Sequence, residues 1–145
     1  MIRKIRKSEL SELLELYSHM HTQDDPLPNK HRIDEVWEII QNDLKLHYFV
    51  LDHENQILST CHLIIVPNLS RGSRPYGLIE NVVTHKRYRK RGFGKAVLLH
   101  TLRYAWDNGC YKVMLLTGRT SDAVFRFYES VGFSRHGKQA FIAKP

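Results

Sequence analysis

A short basic turn, Arg89-Lys-Arg-Gly-Phe-Gly-Lys95, has the residue types of a phosphate-binding loop. It lies between an apolar run, Leu78 to Thr84, and apolar residues at helical spacing that begin at Ala96. The first turn of a helix leaves backbone N–H groups unpaired and carries about half a positive charge, and glycines leave room for a pyrophosphate. The turn and its cations therefore predict a site for a phosphate-bearing ligand.

Two common phosphate loops do not fit this turn. The Walker pattern needs Gly-x-x-x-x-Gly-Lys before Ser or Thr, and the dinucleotide fingerprint needs Gly-x-Gly-x-x-Gly. Here Val97 follows Gly92 and Gly94 where a third glycine would stand. Because Gly-x-Gly turns also occur where no ligand binds, a solvated basic surface remains the alternative.

The first half of the chain predicts two helices among three strands. Ile2 to Ile5 favours a first strand, and Ser8 can cap a helix whose apolar positions repeat from Leu10 to Met20. The prolines of Asp24-Asp-Pro-Leu-Pro28 end that helix, and a second helix follows up to Leu44. Two further strands joined by a hairpin turn are predicted at His47 to Leu51 and Ile57 to Val66.

The second half continues this alternation. Tyr76 to Thr84 predicts a fourth strand, and a helix from about Gly92 ends at Asn108-Gly109, where glycine suits a helix C-cap. Tyr111 to Leu116 predicts a fifth strand. A last helix capped by Thr120 or Ser121 runs to Val131, and one or two final strands are expected between Phe133 and Ala143.

Two separated motifs resemble the signatures of one enzyme family, the GCN5-related N-acetyltransferases (GNAT). Arg89-x-x-Gly92-x-Gly94 is similar to the family's (Gln/Arg)-x-x-Gly-x-(Gly/Ala) signature, and Glu80 to Thr84 looks like its fourth strand. Phe127-Tyr-Glu-Ser-Val-Gly-Phe133 resembles its Phe-Tyr-x-x-x-Gly-Phe segment. The resemblance implies the α/β (α+β) GNAT fold, a mixed central sheet splayed at strands 4 and 5 with helices on both faces. We expect one such domain over residues 1–145.

The resemblance also implies that acetyl-CoA binds in the splay. Val82, Val83 and Thr84 stand where main-chain groups pair with the pantetheine arm. The basic turn is expected to hold the pyrophosphate, with Arg89 in the first signature position and backbone N–H groups from Lys90, Arg91, Gly92, Phe93, Gly94 and Lys95. Ser121 replaces the family's usual asparagine, so its contact with the pantetheine arm would have a shorter reach.

Glu80 and Tyr128 are the candidate catalytic residues. An alkylammonium has a pKa of about 10, so a base that accepts its proton raises the reactive fraction of the amine. Glu80, in an apolar strand, resembles the family glutamate with that role, and a structural ion pair is the alternative. Tyr128 resembles the family tyrosine that points at the coenzyme sulfur and would protonate the leaving thiolate, and simple aromatic packing is its alternative.

Composition describes a soluble cytoplasmic protein. Hydrophobic residues make up 42% and charged residues 26% of the 145, no apolar stretch approaches a membrane span, and the basic start lacks the apolar region of a secretory signal. Cys61 and Cys110 favour a reducing compartment and are expected to be buried small hydrophobes. The nine histidines are too loosely spaced to predict a metal site.

The net charge of +7 allows two interpretations. A basic surface is typical of nucleic-acid binding, but steering of the anionic coenzyme would use the same cations. The sequence thus predicts an N-acetyltransferase that moves acetyl from acetyl-CoA to a primary amine by direct attack in a ternary complex. The alternative is a nucleic-acid-binding or acyl-CoA-sensing module without catalysis.

The acceptor is not specified by these motifs. Lys30, Arg71 and Arg74 could receive an anionic group such as the phosphate of an amino sugar, whereas Asp24 and Asp25 could hold a second ammonium. A small-molecule amine is favoured over a protein, a membrane partner is not expected, and a homodimer is left open.

Overall fold

The computed structural model describes residues 1–21 and 23–145, which form one five-stranded sheet with helices on both faces. In chain order the elements are β1 (Ile2–Lys4), α1 (Leu10–Tyr17), α2 (Lys30–Asn42), β2 (Leu46–His53), β3 (Gln56–Val66), the one-turn α3 (Ser70–Ser73), β4 (Tyr76–Thr84), α4 (Phe93–Asp107), β5 (Val113–Leu115) and α5 (Asp122–Glu129). The predicted order of strands and helices is therefore confirmed up to the last helix.

The sheet opens between β4 and β5. The strands lie in the order β1-β2-β3-β4-β5, antiparallel except for the parallel pair β4 and β5. Gly77 to Ile79 pair with β5, whereas the remainder of β4 has a ladder partner only in β3 among the described residues. The predicted splay is thus present, and it exposes one edge of β4 from Glu80 onward.

A bulge bends β4 where it leaves β5. The register with β3 shifts between Thr60 and His62, so that Asn81 and Val82 lie opposite the single residue Cys61. Asn81 has a φ of 52°, in the left-handed region that side chains other than glycine rarely adopt. A bulge disrupts the regular ladder and re-aims the residues beside it.

Two apolar layers hold the sheet between its helices. On the face covered by α4 and α5, the buried residues include Phe49, Leu63, Ile79, Val97 and Leu98. On the face covered by α1 and α2, they include Leu13, Leu16, Trp37, Val50 and Val83. Full burial of such a side chain contributes about 1.5–3 kcal/mol, so both layers fix the position of β4.

The first helix is shorter than predicted. Ser8 does not cap it but lies in a 3-10 turn, Lys7–Glu9, and Met20 lies beyond its end at Tyr17. The start of the helix is set by a largely buried ion network in which Arg3 binds Glu9 at 2.6 Å and Asp52 at 2.6 Å, while the Glu9 carboxylate accepts the Arg6 N–H at 2.7 Å. These bonds hold Glu9 in the 3-10 turn, so α1 begins only at Leu10.

The prediction of one or two final strands was wrong. No residue from Phe133 onward belongs to a strand in the described chain. Phe141 is 91% exposed and Ile142 72% exposed, so these apolar side chains do not pack into the core of the chain. Since β5 is only three residues long, it offers a short edge for another strand.

Candidate functional site

The basic turn positions the start of α4 as the sequence predicts. Gly92 precedes the helix with a φ of 83°, and no side chain caps the first turn. A Cβ added to Gly92 would meet nothing within 4 Å, so the space before the helix is open. The first N–H groups of α4 are therefore available to a phosphate.

Gly94 allows the site's three elements to meet. A Cβ there would lie 3.0 Å from the Thr84 hydroxyl and 3.3 Å from a ring carbon of Phe127. The first turn of α4 thus packs directly against the end of β4 and against α5. This approach places the turn beside the helix that carries Tyr128.

Arg89 fixes the turn through its side chain. Its Nε donates to the Thr84 carbonyl at 3.2 Å, and its Nη2 donates to the His19 carbonyl at 2.6 Å. The first signature residue therefore joins the turn to β4 and to the segment after α1. Three other cations of the turn, Lys90, Arg91 and Lys95, are exposed and take part in none of the ion pairs of the described chain.

The expected pantetheine strand lies along the open edge. Val82 is partly buried and contacts the layer under α4, while Val83 is buried toward α1. The Ser59 hydroxyl donates to the Val83 carbonyl at 3.1 Å and lies 2.8 Å from the Thr84 hydroxyl. These bonds hold the end of β4 against β3 while β5 diverges.

Glu80 belongs to a polar row that crosses three strands. His62 is the register partner of Tyr48 on β2 and of Glu80 on β4. Glu80 is half-buried and forms none of the ion pairs or side-chain hydrogen bonds found in the described chain. Burial lowers the pKa of His62 to about 4, so the imidazole beside Glu80 is neutral at neutral pH.

Tyr128 faces the same gap from α5. Its ring packs edge-on against Phe127 and Phe133, with centroids 5.1 Å and 6.2 Å away. Burial raises the pKa of Tyr128, the charge of Arg119 offsets part of this rise, and Glu80 adds to it. The charges of Arg119 and Glu80 therefore both act on the phenol.

The cysteines are buried as predicted, whereas Ser121 stands at the predicted cap position without acting as a cap. Ser121 is the N-cap of α5, but its exposed hydroxyl makes no capping hydrogen bond and is free for another partner. Cys61 and Cys110 are free and buried, and burial raises the pKa of the Cys61 thiol to about 12. Neither cysteine is therefore suited to act as a thiolate nucleophile.

Sequence reasoning did not predict the contacts that residues after α1 and β5 make, and it missed Arg119. The ring of His19 lies 4.2 Å from that of His85, and its Nε2 is buried without a hydrogen-bond partner. Arg119 donates to the Met20 carbonyl at 2.8 Å. No periodic pattern marks loop residues such as these, so only the folded chain shows that they meet.

The described residues contain no group of three or more His, Cys, Asp or Glu that could hold a metal ion. None of their helices is both long and apolar enough to cross a membrane.

Comparison with known proteins agrees with this geometry. Residues 10–133 match the Acetyltransferase (GNAT) family. The glucosamine 6-phosphate N-acetyltransferase of Trypanosoma brucei brucei is 32% identical over 138 residues, which cover 95% of this chain and 91% of that protein.

Solved structures show the same fold over the whole chain. A protein of Agrobacterium tumefaciens strain C58 is 39% identical, with a TM-score of 0.91 and 99% of both chains covered. The glucosamine-6-phosphate N-acetyltransferase of Arabidopsis thaliana is 26% identical, with a TM-score of 0.83, covering 100% of this chain and 97% of that one. This chain belongs to the acetyltransferase (GNAT) family and is an acetyl-CoA-dependent N-acetyltransferase.

Proposed function

We propose that this enzyme acetylates the amino group of a small amino-sugar phosphate, with glucosamine 6-phosphate as the first compound to test. The observation that carries the proposal is the extent of the match to the trypanosome glucosamine 6-phosphate N-acetyltransferase, 95% of this chain. The match therefore includes most of the region before β4, where acceptor sites in this fold are expected. The cations around the splay would also favour an anionic acceptor.

Glu80 is proposed as the general base. It lies at the bulge where β4 leaves β5, it is half-buried, and it has no cation of the described chain as an ion-pair partner. A carboxylate without such a partner can accept a proton from the acceptor's ammonium. The neutral amine then attacks the thioester carbonyl.

Tyr128 is proposed as the general acid. When the new C–N bond has formed and the C–S bond breaks, the electron pair stays on sulfur as a thiolate. The phenol can give that thiolate its proton. Glu80 passes the ammonium proton to solvent, and the second amine proton, lost as the amide forms, restores the phenol through solvent, so the products are the amide, free CoA and one proton. Because burial raises the pKa of Tyr128, the phenol stays protonated at neutral pH.

The coenzyme is proposed to lie along the open edge of β4. Val82, Val83 and Thr84 would pair with its pantetheine arm, and Ser121 would supply a hydroxyl from the opposite side. The turn from Arg89 to Lys95 would hold the pyrophosphate on the free N–H groups of α4. The open space at Gly92 supports this placement.

The acceptor is tested by the rate of CoA release with glucosamine 6-phosphate, glucosamine, a polyamine and an aminoglycoside. We expect glucosamine 6-phosphate to give the highest kcat/KM. A higher kcat/KM with an amine that carries no phosphate would overturn the proposed acceptor while leaving the acetyltransferase activity in place.

A further inference from the structure

A polar cavity adjoins the splay on the side of β5. It has a volume of about 410 Å³ and is lined by Met20, His21, Gln23 and Arg119. Its walls come from the segment after α1 and from the loop between β5 and α5, neither of which contains a residue of the two family motifs. The resemblance assigns no role to Arg119.

Arg119 is held at this cavity with most of its donors unused. Its Nη2 donates to the Met20 carbonyl at 2.8 Å, which fixes the guanidinium against the segment after α1. An arginine has five N–H donors, and no carboxylate of the described residues forms an ion pair with Arg119. An oriented guanidinium with free donors suits two oxygens of one phosphoryl group.

The position of Arg119 relates the cavity to the reaction centre. Its charge is close enough to Tyr128 to act on the phenol, so the cavity lies near the proposed site of thiolate protonation. His21, on the wall formed by the segment after α1, supplies ring nitrogens that can also bind a phosphoryl oxygen. The coenzyme pyrophosphate already has a separate cradle at the start of α4.

We propose that Arg119, assisted by His21, binds a phosphoryl group in this cavity. The inference rests on the proposed function, because the acceptor named there carries a phosphate, and we assign the phosphoryl group to that acceptor. A phosphate of the coenzyme would bind the same donors, so the experiment distinguishes the acceptor phosphate from the coenzyme phosphate.

The experiment compares the wild type with Arg119→Gln and with the control Arg103→Gln, which removes an equal charge from an exposed position on α4. For each protein, KM and kcat are measured with glucosamine 6-phosphate, glucosamine and acetyl-CoA. We expect Arg119→Gln to raise KM for glucosamine 6-phosphate about tenfold or more, the loss of one charged contact. KM for glucosamine should stay unchanged, and Arg103→Gln should behave as the wild type.

A second measurement does not depend on turnover. Calorimetric titration of the CoA-bound enzyme with glucosamine 6-phosphate should show binding that Arg119→Gln weakens and Arg119→Lys partly restores. If KM for acetyl-CoA rises in Arg119→Gln and the preference for the phosphorylated sugar stays, the cavity holds a coenzyme phosphate instead.

The two proposals fail separately. If the wild type acetylates glucosamine 6-phosphate and Arg119→Gln changes neither KM nor binding, the phosphoryl cavity is wrong and the proposed function stands. If the wild type neither binds nor acetylates glucosamine 6-phosphate, the proposed acceptor is wrong. The cavity is then refuted as well unless Arg119→Gln weakens the calorimetric binding of acetyl-CoA.

Discussion

Glu80 lies directly opposite His62 in the ladder between β3 and β4. Side chains of register partners project from the same face of a sheet, so this carboxylate and this imidazole are neighbours on the α1 side. Burial keeps the imidazole neutral by lowering its pKa to about 4. A charged histidine would have paired with Glu80, whereas a neutral one leaves the carboxylate able to take up a proton.

The first prediction concerns Glu80 as the base. Glu80→Gln removes the proton acceptor and keeps the side-chain shape, so kcat should fall about 100-fold or more. Calorimetric affinity for acetyl-CoA should stay within twofold, because the assigned coenzyme contacts lie elsewhere.

The control for this change is Glu12→Gln, an exposed position on α1. It should keep the wild-type rate. A normal kcat in Glu80→Gln with the best acceptor would remove the role of base from Glu80.

The second prediction concerns Tyr128 as the acid. Tyr128→Phe should lower kcat about 10- to 100-fold while coenzyme affinity is kept, because the ring still packs against Phe127 and Phe133. Tyr111→Phe, at a half-buried tyrosine that precedes β5, serves as the matched control.

The pH profile adds an independent readout of Tyr128. Its pKa is raised by burial, so the phenol is protonated below its ordinary pKa of about 10 and kcat should not fall with rising pH up to that value. An alkaline fall near pH 8 that disappears in Tyr128→Phe would contradict the raised pKa.

The sequence predicted the strand, turn and helix around the basic turn well, because these elements depend on local backbone chemistry. Gly92, Gly94 and the apolar residues of β4 have fixed roles in a strand, turn and helix, and the structure places them as expected. The start of α1 was not predicted, because it depends on the ion network of Arg3 and Glu9, in which Arg3 also binds Asp52 across 49 residues of chain. The final segment was not predicted, because its pairing depends on which strand edge is available. Arg119 reaches Met20 across 99 residues of chain, which no local pattern shows.

The third prediction concerns the close packing at Gly94. Gly94→Ala should lower the free energy of unfolding by about 1–3 kcal/mol, because its Cβ would press on Thr84 and Phe127. It should also weaken acetyl-CoA binding, since α4 must move away from β4. Denaturant unfolding and calorimetry measure the two effects.

Gly137→Ala is the matched change, because its Cβ would make only ordinary contacts at 3.7 Å. It should leave both stability and coenzyme binding nearly unaltered. Wild-type values for Gly94→Ala would show that the approach of α4 to β4 does not shape the site.

The fourth prediction concerns the ion network at the start of α1. The hydrogen bond from Arg3 lowers the pKa of Glu9, so the carboxylate stabilises the fold at neutral pH. Glu9→Gln should therefore reduce the free energy of unfolding by about 1–3 kcal/mol at pH 7. The difference from the wild type should be full above the ordinary pKa of Glu, about 4.3, and shrink as pH falls through the lowered value.

Denaturant titrations at pH 7 and near pH 3 test this dependence. A loss of stability that is the same at both pH values would mean that Glu9 contributes through packing and not through its charge.

The most direct test of the central claim is a single assay of the purified enzyme with acetyl-CoA and glucosamine 6-phosphate, in which CoA release and the acetylated product are measured together. The account predicts one CoA released for each N-acetylated sugar phosphate, with a kcat/KM above that for unphosphorylated glucosamine. CoA release without an N-acetyl product, or no release with this acceptor, would contradict it.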